Sequence, residues 1–228
     1  MRPARIPWRA LLRAGGLALG IGIPVAALAY AVRSGVGPIA RWDTHAIAEA
    51  TDFTRAHAGL HDALIVWQEA FQPRWVYLAG SLVCVWVWRR HHAPGRALWG
   101  FGTLAASWLL ANAAKAAVQR ARPVVADALV HAGGTSFPSG HAFASAATGT
   151  TVTLLLWPVL GPKARVAVPT VAALLTLATG ADRVLLGAHY PSDVVGGILL
   201  GVAVPAASYV GYRGWAALRD DTPDPEVR

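Results

Sequence analysis

Charge is scarce in this chain. Of 228 residues only 14% are charged, against about 25% in soluble domains, and 55% are hydrophobic. That deficit, with long apolar runs, excludes an ordinary soluble fold and points to an integral membrane protein. Cysteine is almost absent. Cys84 stands alone inside an apolar run, so no intramolecular disulfide can form and cysteine says nothing about compartment. Acidic residues number 12 against 20 Lys and Arg, for a net charge of +8. On a soluble protein this excess would suggest nucleic acid. Here the bases fall in short stretches between apolar runs, which is the pattern of membrane orientation, and no nucleic-acid partner is expected. No linker divides the chain, so residues 1–219 read as a single domain. Residues 220–228 form a short, charged, proline-bearing tail expected to be disordered and cytoplasmic.

The apolar runs predict six spans, at residues 14–32, 75–88, 97–118, 142–160, 166–180 and 194–210. The first follows Arg2, Arg5, Arg9 and Arg13. It reads as an uncleaved anchor, although Ala27-Leu28-Ala29 has the look of a signal-peptide cleavage site. Residues 35–73 are mixed and polar. Ala46, Ala50 and Phe53 recur at helical spacing there, which predicts short interfacial helices on the bilayer surface. The expected fold is all-α: an integral membrane six-helix bundle with short extracytoplasmic interfacial helices. The basic sets before residue 14, at Arg89/Arg90/Arg96, at Lys163/Arg165 and at Arg213/Arg219 share one side of such a bundle, and the positive-inside rule makes that side cytoplasmic. Both termini are then cytoplasmic, in the plasma (inner) membrane. Trp8, Trp75, Trp88, Trp99, Trp157 and Trp215 fall near span ends as interfacial anchors, while mid-span Trp108 reads as packing. Gly197 and Gly201 form a small-xxx-small pair, for close packing inside the bundle or for the face of a homodimer.

Three polar clusters remain, and span parity sends all of them to the extracytoplasmic face. Lys115 and Arg122 are seven apart, nearly two helical turns, and would project from one face to clamp an anion. The plainer reading is a pair of snorkelling residues at a span end, as Arg120 is taken to be. Ser139-Gly140-His141 opens the fourth apolar run. Ser139 suits an N-cap, Gly140 admits close approach, and the free N–H groups of a helix start bind anions. An ordinary cap with a hydrogen-bonded histidine would look the same. His189 and Asp193 are four apart and meet if the stretch is helical. A carboxylate on one imidazole nitrogen leaves the other free as nucleophile or base; a stabilising His–Asp pair is the bland alternative. Arg183 adds a further cation at a span end. Cations, a helix start, two histidines and one carboxylate suit phosphoryl transfer through a phosphohistidine. No carboxylate cluster for a two-metal centre accompanies them.

Lys115-x6-Arg122-Pro123, Pro138-Ser139-Gly140-His141 and Arg183-x5-His189-x3-Asp193 resemble, in order, the three-part signature of the type 2 phosphatidic acid phosphatase (PAP2) superfamily. The resemblance covers residues 97–201. It implies a membrane phosphatase acting on a lipid phosphate, with undecaprenyl pyrophosphate the first choice and phosphatidylglycerophosphate or phosphatidate the second. It makes His189 the nucleophile, Asp193 its orienting group and His141 the acid for the leaving oxygen. Lys115, Arg122, Ser139, Gly140 and Arg183 would hold the phosphate. No metal and no cofactor are implied. Asp182 departs from the family, which often has serine there, and is expected to point away or brace Arg183. A non-enzymatic lipid-phosphate transporter would share the spans and the clamp without needing His189, His141 and Asp193 together.

Overall fold

The computed structural model describes residues 7–125, 129–130 and 132–220. Arg2, Arg5, His131 and the expected tail beyond Asp220 lie outside them. Among the described residues there are eight α-helices and no strand. They are α1 (Trp8–Arg33), α2 (Gly37–Arg55), α3 (Ala58–Ala70), α4 (Pro73–His91), α5 (Pro94–Val118), α6 (Gly140–Leu156), α7 (Pro162–Leu185) and α8 (Pro191–Asp220). A single 3₁₀ turn, Trp157–Val159, extends α6.

Helix ends follow their local chemistry. Proline stands in the first turn of α2, α4, α5 and α7, where its missing N–H costs nothing. Left-handed residues stop α4 at His92 (φ 48°) and α5 at Gln119 (φ 50°). The end of α5 at Val118 corrects one expectation. Arg122 does not ride on the same helix as Lys115, because Gln119 breaks the helix four residues before Pro123.

All the helices but α3 are long, with 19 residues or more once the 3₁₀ turn is counted with α6. Four of them, α1, α6 with its 3₁₀ turn, α7 and α8, are also apolar enough to cross a membrane. α4, which carries Arg74, Arg89 and Arg90, and α5, whose apolar run is interrupted by Gly100, Gly102, Ser107 and Asn112, are not among those four. The expected six spans are matched in helix length and in only four cases by composition. At 19 residues, α4 is still about 28 Å long at 1.5 Å per residue.

α6 is the axis of the bundle, packed on α4, α5, α7 and α8. Its first turns are small: Ala142, Ala144, Ala146 and Ala147 are all buried. α8 crosses here at its glycines. A Cβ on Gly197 would stand 2.8 Å from the Ser139 carbonyl, and one on Gly201 2.6 Å from that of Phe143. The pair is therefore spent inside the chain and offers no dimer face. Without hydrophobic driving force in lipid, such close backbone approach is what holds helices together.

Two tryptophans differ from expectation. Trp108 is 54% exposed and does not pack in the core. Trp99 is no free interfacial anchor; its Nε1–H donates to Ser208 Oγ at 2.7 Å and its ring stacks on Tyr212. On α2 the buried face is Asp43, Ile47, Thr51 and Thr54, while Phe53 points outward. The helical spacing was legible, but a buried aspartate selected the face.

Candidate active site

The three polar clusters meet at one end of the bundle, where α5 and α7 finish and α6 and α8 begin. The α7–α8 turn is tight. Gly187 (φ +71°) follows the helix end, with its N–H bonded to the Val184 carbonyl at 2.9 Å and the Ala188 N–H to that of Arg183 at 3.0 Å. This is the Schellman closure, and only glycine takes its left-handed position without strain. His189 is held by a further bond from its N–H to the Arg183 carbonyl at 3.1 Å. It precedes α8, whose first turn carries Asp193. The two therefore meet without both lying on a helix.

His189 is 3% exposed. Its Nδ1 lies 3.7 Å from Asp193 Oδ2 and 3.4 Å from Ser136 Oγ. Ser136 donates to the same carboxylate oxygen at 2.5 Å, and the Tyr190 N–H does so at 2.9 Å. Burial drives the His189 pKa down to about 4, with Arg122 and Lys115 adding to the fall and Asp193 opposing it. The ring is thus neutral at pH 7 and keeps a lone pair.

Lys115 and Arg122 are restrained by carbonyls and not by carboxylates. Lys115 Nζ donates to Thr135 O at 2.9 Å. Arg122 donates from Nε to Gly133 O at 2.9 Å and from Nη1 to Ala188 O at 2.7 Å. A carbonyl fixes a cation without cancelling its charge, so both remain able to attract an anion. Burial, ahead of the repulsion from Arg183, lowers the Arg122 pKa. Arg183 differs. Its Nε donates to Asp182 Oδ2 at 2.7 Å, its Nη2 bonds the same carboxylate oxygen, and Nη2 also reaches Gln68 Oε1 at 3.0 Å. Asp182 braces Arg183, and the pair brings little net charge to the site.

Ser139 occupies the N-cap position of α6 without a side-chain cap bond. Its Oγ is buried and has no partner. A Cβ on the next residue, Gly140, would come within 3.7 Å of Lys115 Cε. His141 in the first turn also has an Nε2 that is buried and unpartnered. It lies near enough to His189, Arg122 and Arg183 to feel their charges. Unmet donors and acceptors at a helix start beside two unneutralised cations are the properties of an anion site.

Three residues of this site escaped the sequence. Ser136 bridges His189 and Asp193. Arg120 is not a snorkelling residue: its side chain is 9% exposed and lies between two carboxylates. Nη1 donates to Asp193 Oδ1 at 2.6 Å and Ser192 Oγ at 2.7 Å, while Nη2 donates to Asp43 Oδ2 at 2.6 Å. Its Cζ also stands 4.2 Å over the Tyr190 ring. Burial works against the Arg120 charge, but Asp193 and Asp43 outweigh it and raise the pKa. The only advance signal was a charged pair, Asp43 and Arg120, in an apolar chain. Among the described residues no group of three or more His, Cys, Asp or Glu is placed to hold a metal ion.

The chain is similar to several known proteins. A lipid A 1-phosphatase from Rhizobium etli is 39% identical over 110 residues, 44% of this chain and 44% of its own length. Phosphatidylglycerophosphatase B from Bacillus subtilis is 36% identical over 97 residues, 41% of this chain and 47% of its own. The chain thus aligns with less than half the length of these relatives. In three dimensions it is similar to a crystal structure of a transmembrane PAP2-type phosphatidylglycerolphosphate phosphatase from Bacillus subtilis. The TM-score is 0.74 at 22% identity, over 84% of this chain and 93% of that one. Both the shared fold and the long apolar helices are those of an integral membrane protein. The PAP2 superfamily model matches residues 96–215, which take in all three motifs, and the chain belongs to that superfamily.

Proposed function

We propose that the protein is a membrane lipid-phosphate phosphatase working through a phosphohistidine, without metal or cofactor, as one domain over residues 1–219. The observation that carries the reading is the environment of His189: a buried neutral imidazole with Nε2 beside Arg122 and Nδ1 toward Asp193 and Ser136. His189 Nε2 attacks the terminal phosphorus while its bond to the leaving oxygen breaks, the lipid oxygen in a monophosphate and the bridging oxygen in a diphosphate. His141 delivers a proton to that oxygen. Water then attacks the phosphohistidine and releases inorganic phosphate. Lys115 and Arg122 offset the charge on the phosphate oxygens, and Ser139 Oγ and the Gly140 N–H donate to them. Arg183, fixed by Asp182, supplies directed donors more than net charge.

The same reading places six spans in the plasma membrane, both termini in the cytoplasm and the site at the extracytoplasmic face. Basic residues at the far end of the bundle support that orientation. A groove of about 540 Å³ between α4 and α7, floored by α6, supports a lipid substrate. It runs from Phe71 and Trp75 past Ser145, one turn below His141, to Val168. Undecaprenyl pyrophosphate is the first substrate to test, since its phosphate is exposed on that face during envelope synthesis. A phosphate monoester on a glycerolipid or saccharolipid is the second reading, favoured by what the relatives are called. The deciding assay is phosphate release by purified protein from a panel of these lipids. Binding without release on every member would leave the transporter reading in place.

A further inference from the structure

The His189 loop is gripped from outside the matched region. α2 lies before residue 96, and its buried residues Asp43, Ile47, Thr51 and Thr54 recur at helical spacing. Three of them touch the loop or its continuation into α8. Thr54 Oγ1 donates to the Leu185 carbonyl at 2.9 Å. The Thr51 methyl fills the place of a Gly187 Cβ, which would meet it at 2.8 Å. Asp43 accepts from the Ser192 N–H at 3.0 Å and from Ser192 Oγ at 2.5 Å. The chain is thus pinned on both sides of His189 by one helix.

Asp43 also reaches the nucleophile by a second route. Arg120 bridges Asp43 Oδ2 and Asp193 Oδ1, each at 2.6 Å, while the other Asp193 oxygen faces His189. A planar guanidinium can hold two carboxylates at set angles, which an ammonium cannot. One cation is shared between two anions, so Asp193 keeps enough negative potential to hold the proton on His189 Nδ1. With Asp43 neutral, the whole Arg120 charge would fall on Asp193 and weaken that hold. Asp43 is 0% exposed and sits behind Asp193, away from the phosphate cradle.

We propose that α2 is a positioning element for the nucleophile, with Asp43 and Arg120 acting through Asp193 to set the orientation and tautomer of His189. The proposal rests on His189 being that nucleophile. Neither Asp43 nor Arg120 touches substrate.

The test uses Asp43→Asn and Arg120→Lys, each alone and in an Asp193→Asn background. Both keep the shape or charge of the original, so that folding survives. Each single variant should lower kcat for lipid-phosphate hydrolysis about 10–100-fold, the usual effect of removing an outer-shell partner. KM should stay within about twofold, because the phosphate cradle is intact. In the Asp193→Asn background Arg120→Lys should cost nothing more, and Asp43→Asn only the smaller part carried by its bonds to Ser192. Glu49→Gln, on the exposed face of α2, should change nothing. Unchanged kcat in the single variants, or equal losses in both backgrounds, would overturn the proposal. Histidine ¹⁵N spectra give a readout independent of turnover: His189 should hold its proton on Nδ1 in the wild type and become a tautomer mixture in Asp43→Asn. Identical His189 spectra would also overturn it. A wild type inactive on every lipid would instead remove the phosphatase reading, with the tautomer comparison still deciding the role of Asp43.

Discussion

Arg122 Nη1 lies 3.2 Å from His189 Nε2. A guanidinium has no lone pair to offer, so Nε2 must be the acceptor and Nδ1 must carry the proton. That proton points toward Ser136 and Asp193. The residue that would bind the phosphate thereby also reports which nitrogen attacks it. In the proposed reaction an incoming phosphate oxygen would take over Arg122 and uncover the Nε2 lone pair.

The two histidines should separate by leaving group. In the proposed reaction His189 forms the bond to phosphorus, so His189→Ala should abolish turnover on every substrate. In the same reaction His141 would only protonate the departing oxygen, worth about 10²–10⁴-fold. His141→Ala should lose most activity on a lipid monophosphate and little on p-nitrophenyl phosphate, whose leaving group needs no proton. A diphosphate should lie between. The measurement is kcat/KM for wild type and both variants on all three. Recovery of His189→Ala on the nitrophenyl ester would remove the covalent intermediate.

The acid limb should fall at unusually low pH. Burial, helped by Arg122 and Lys115 and opposed by Asp193, holds the His189 pKa at about 4, below the ordinary 6.5. The lone pair is lost only as pH drops through about 4, so the acid limb of kcat/KM should break near that value. Stability follows the same sign. The unfolded chain binds the proton first, so the His189 contribution is complete above about 6.5 and is lost as pH falls toward 4. A pH–rate profile and melting temperatures at pH 7 and 4.5 check both. A limb at 6.5 would mean a solvated imidazole.

Chelation should not matter. The phosphate in this reading is held by side chains and a helix start, so activity should survive exhaustive EDTA dialysis. Vanadate, which adopts five-coordinate geometry like the transition state, should inhibit competitively. Loss of activity on chelation with rescue by magnesium would replace the phosphohistidine by a metal mechanism.

Orientation can be read with thiols. The native Cys84 is 0% exposed, so it should leave little background. A cysteine at Thr135 should react with an impermeant maleimide in intact cells, and one at His92 only after lysis. The reverse pattern would put the site in the cytoplasm.

Much of this was determined by the sequence alone. Apolar run length and motif spacing are local properties, and with span parity they located the spans and sent Lys115, Arg122, Ser139, Gly140, His141, Arg183, His189 and Asp193 to one end of the bundle. What only the tertiary structure decided is which charges face which. Arg120 and Arg122 are the same residue type two positions apart. One is paired with Asp43 and Asp193, and the other is held by the Ala188 carbonyl, with no carboxylate on it. Asp43 lies 77 residues from Arg120 in the chain, beyond the reach of any periodicity. Likewise Gly197 and Gly201 left open whether a copy or a neighbour would fill their face, until α6 was seen against them. Local propensity acts over a few residues, whereas a buried charge must find its partner wherever the packed chain puts one.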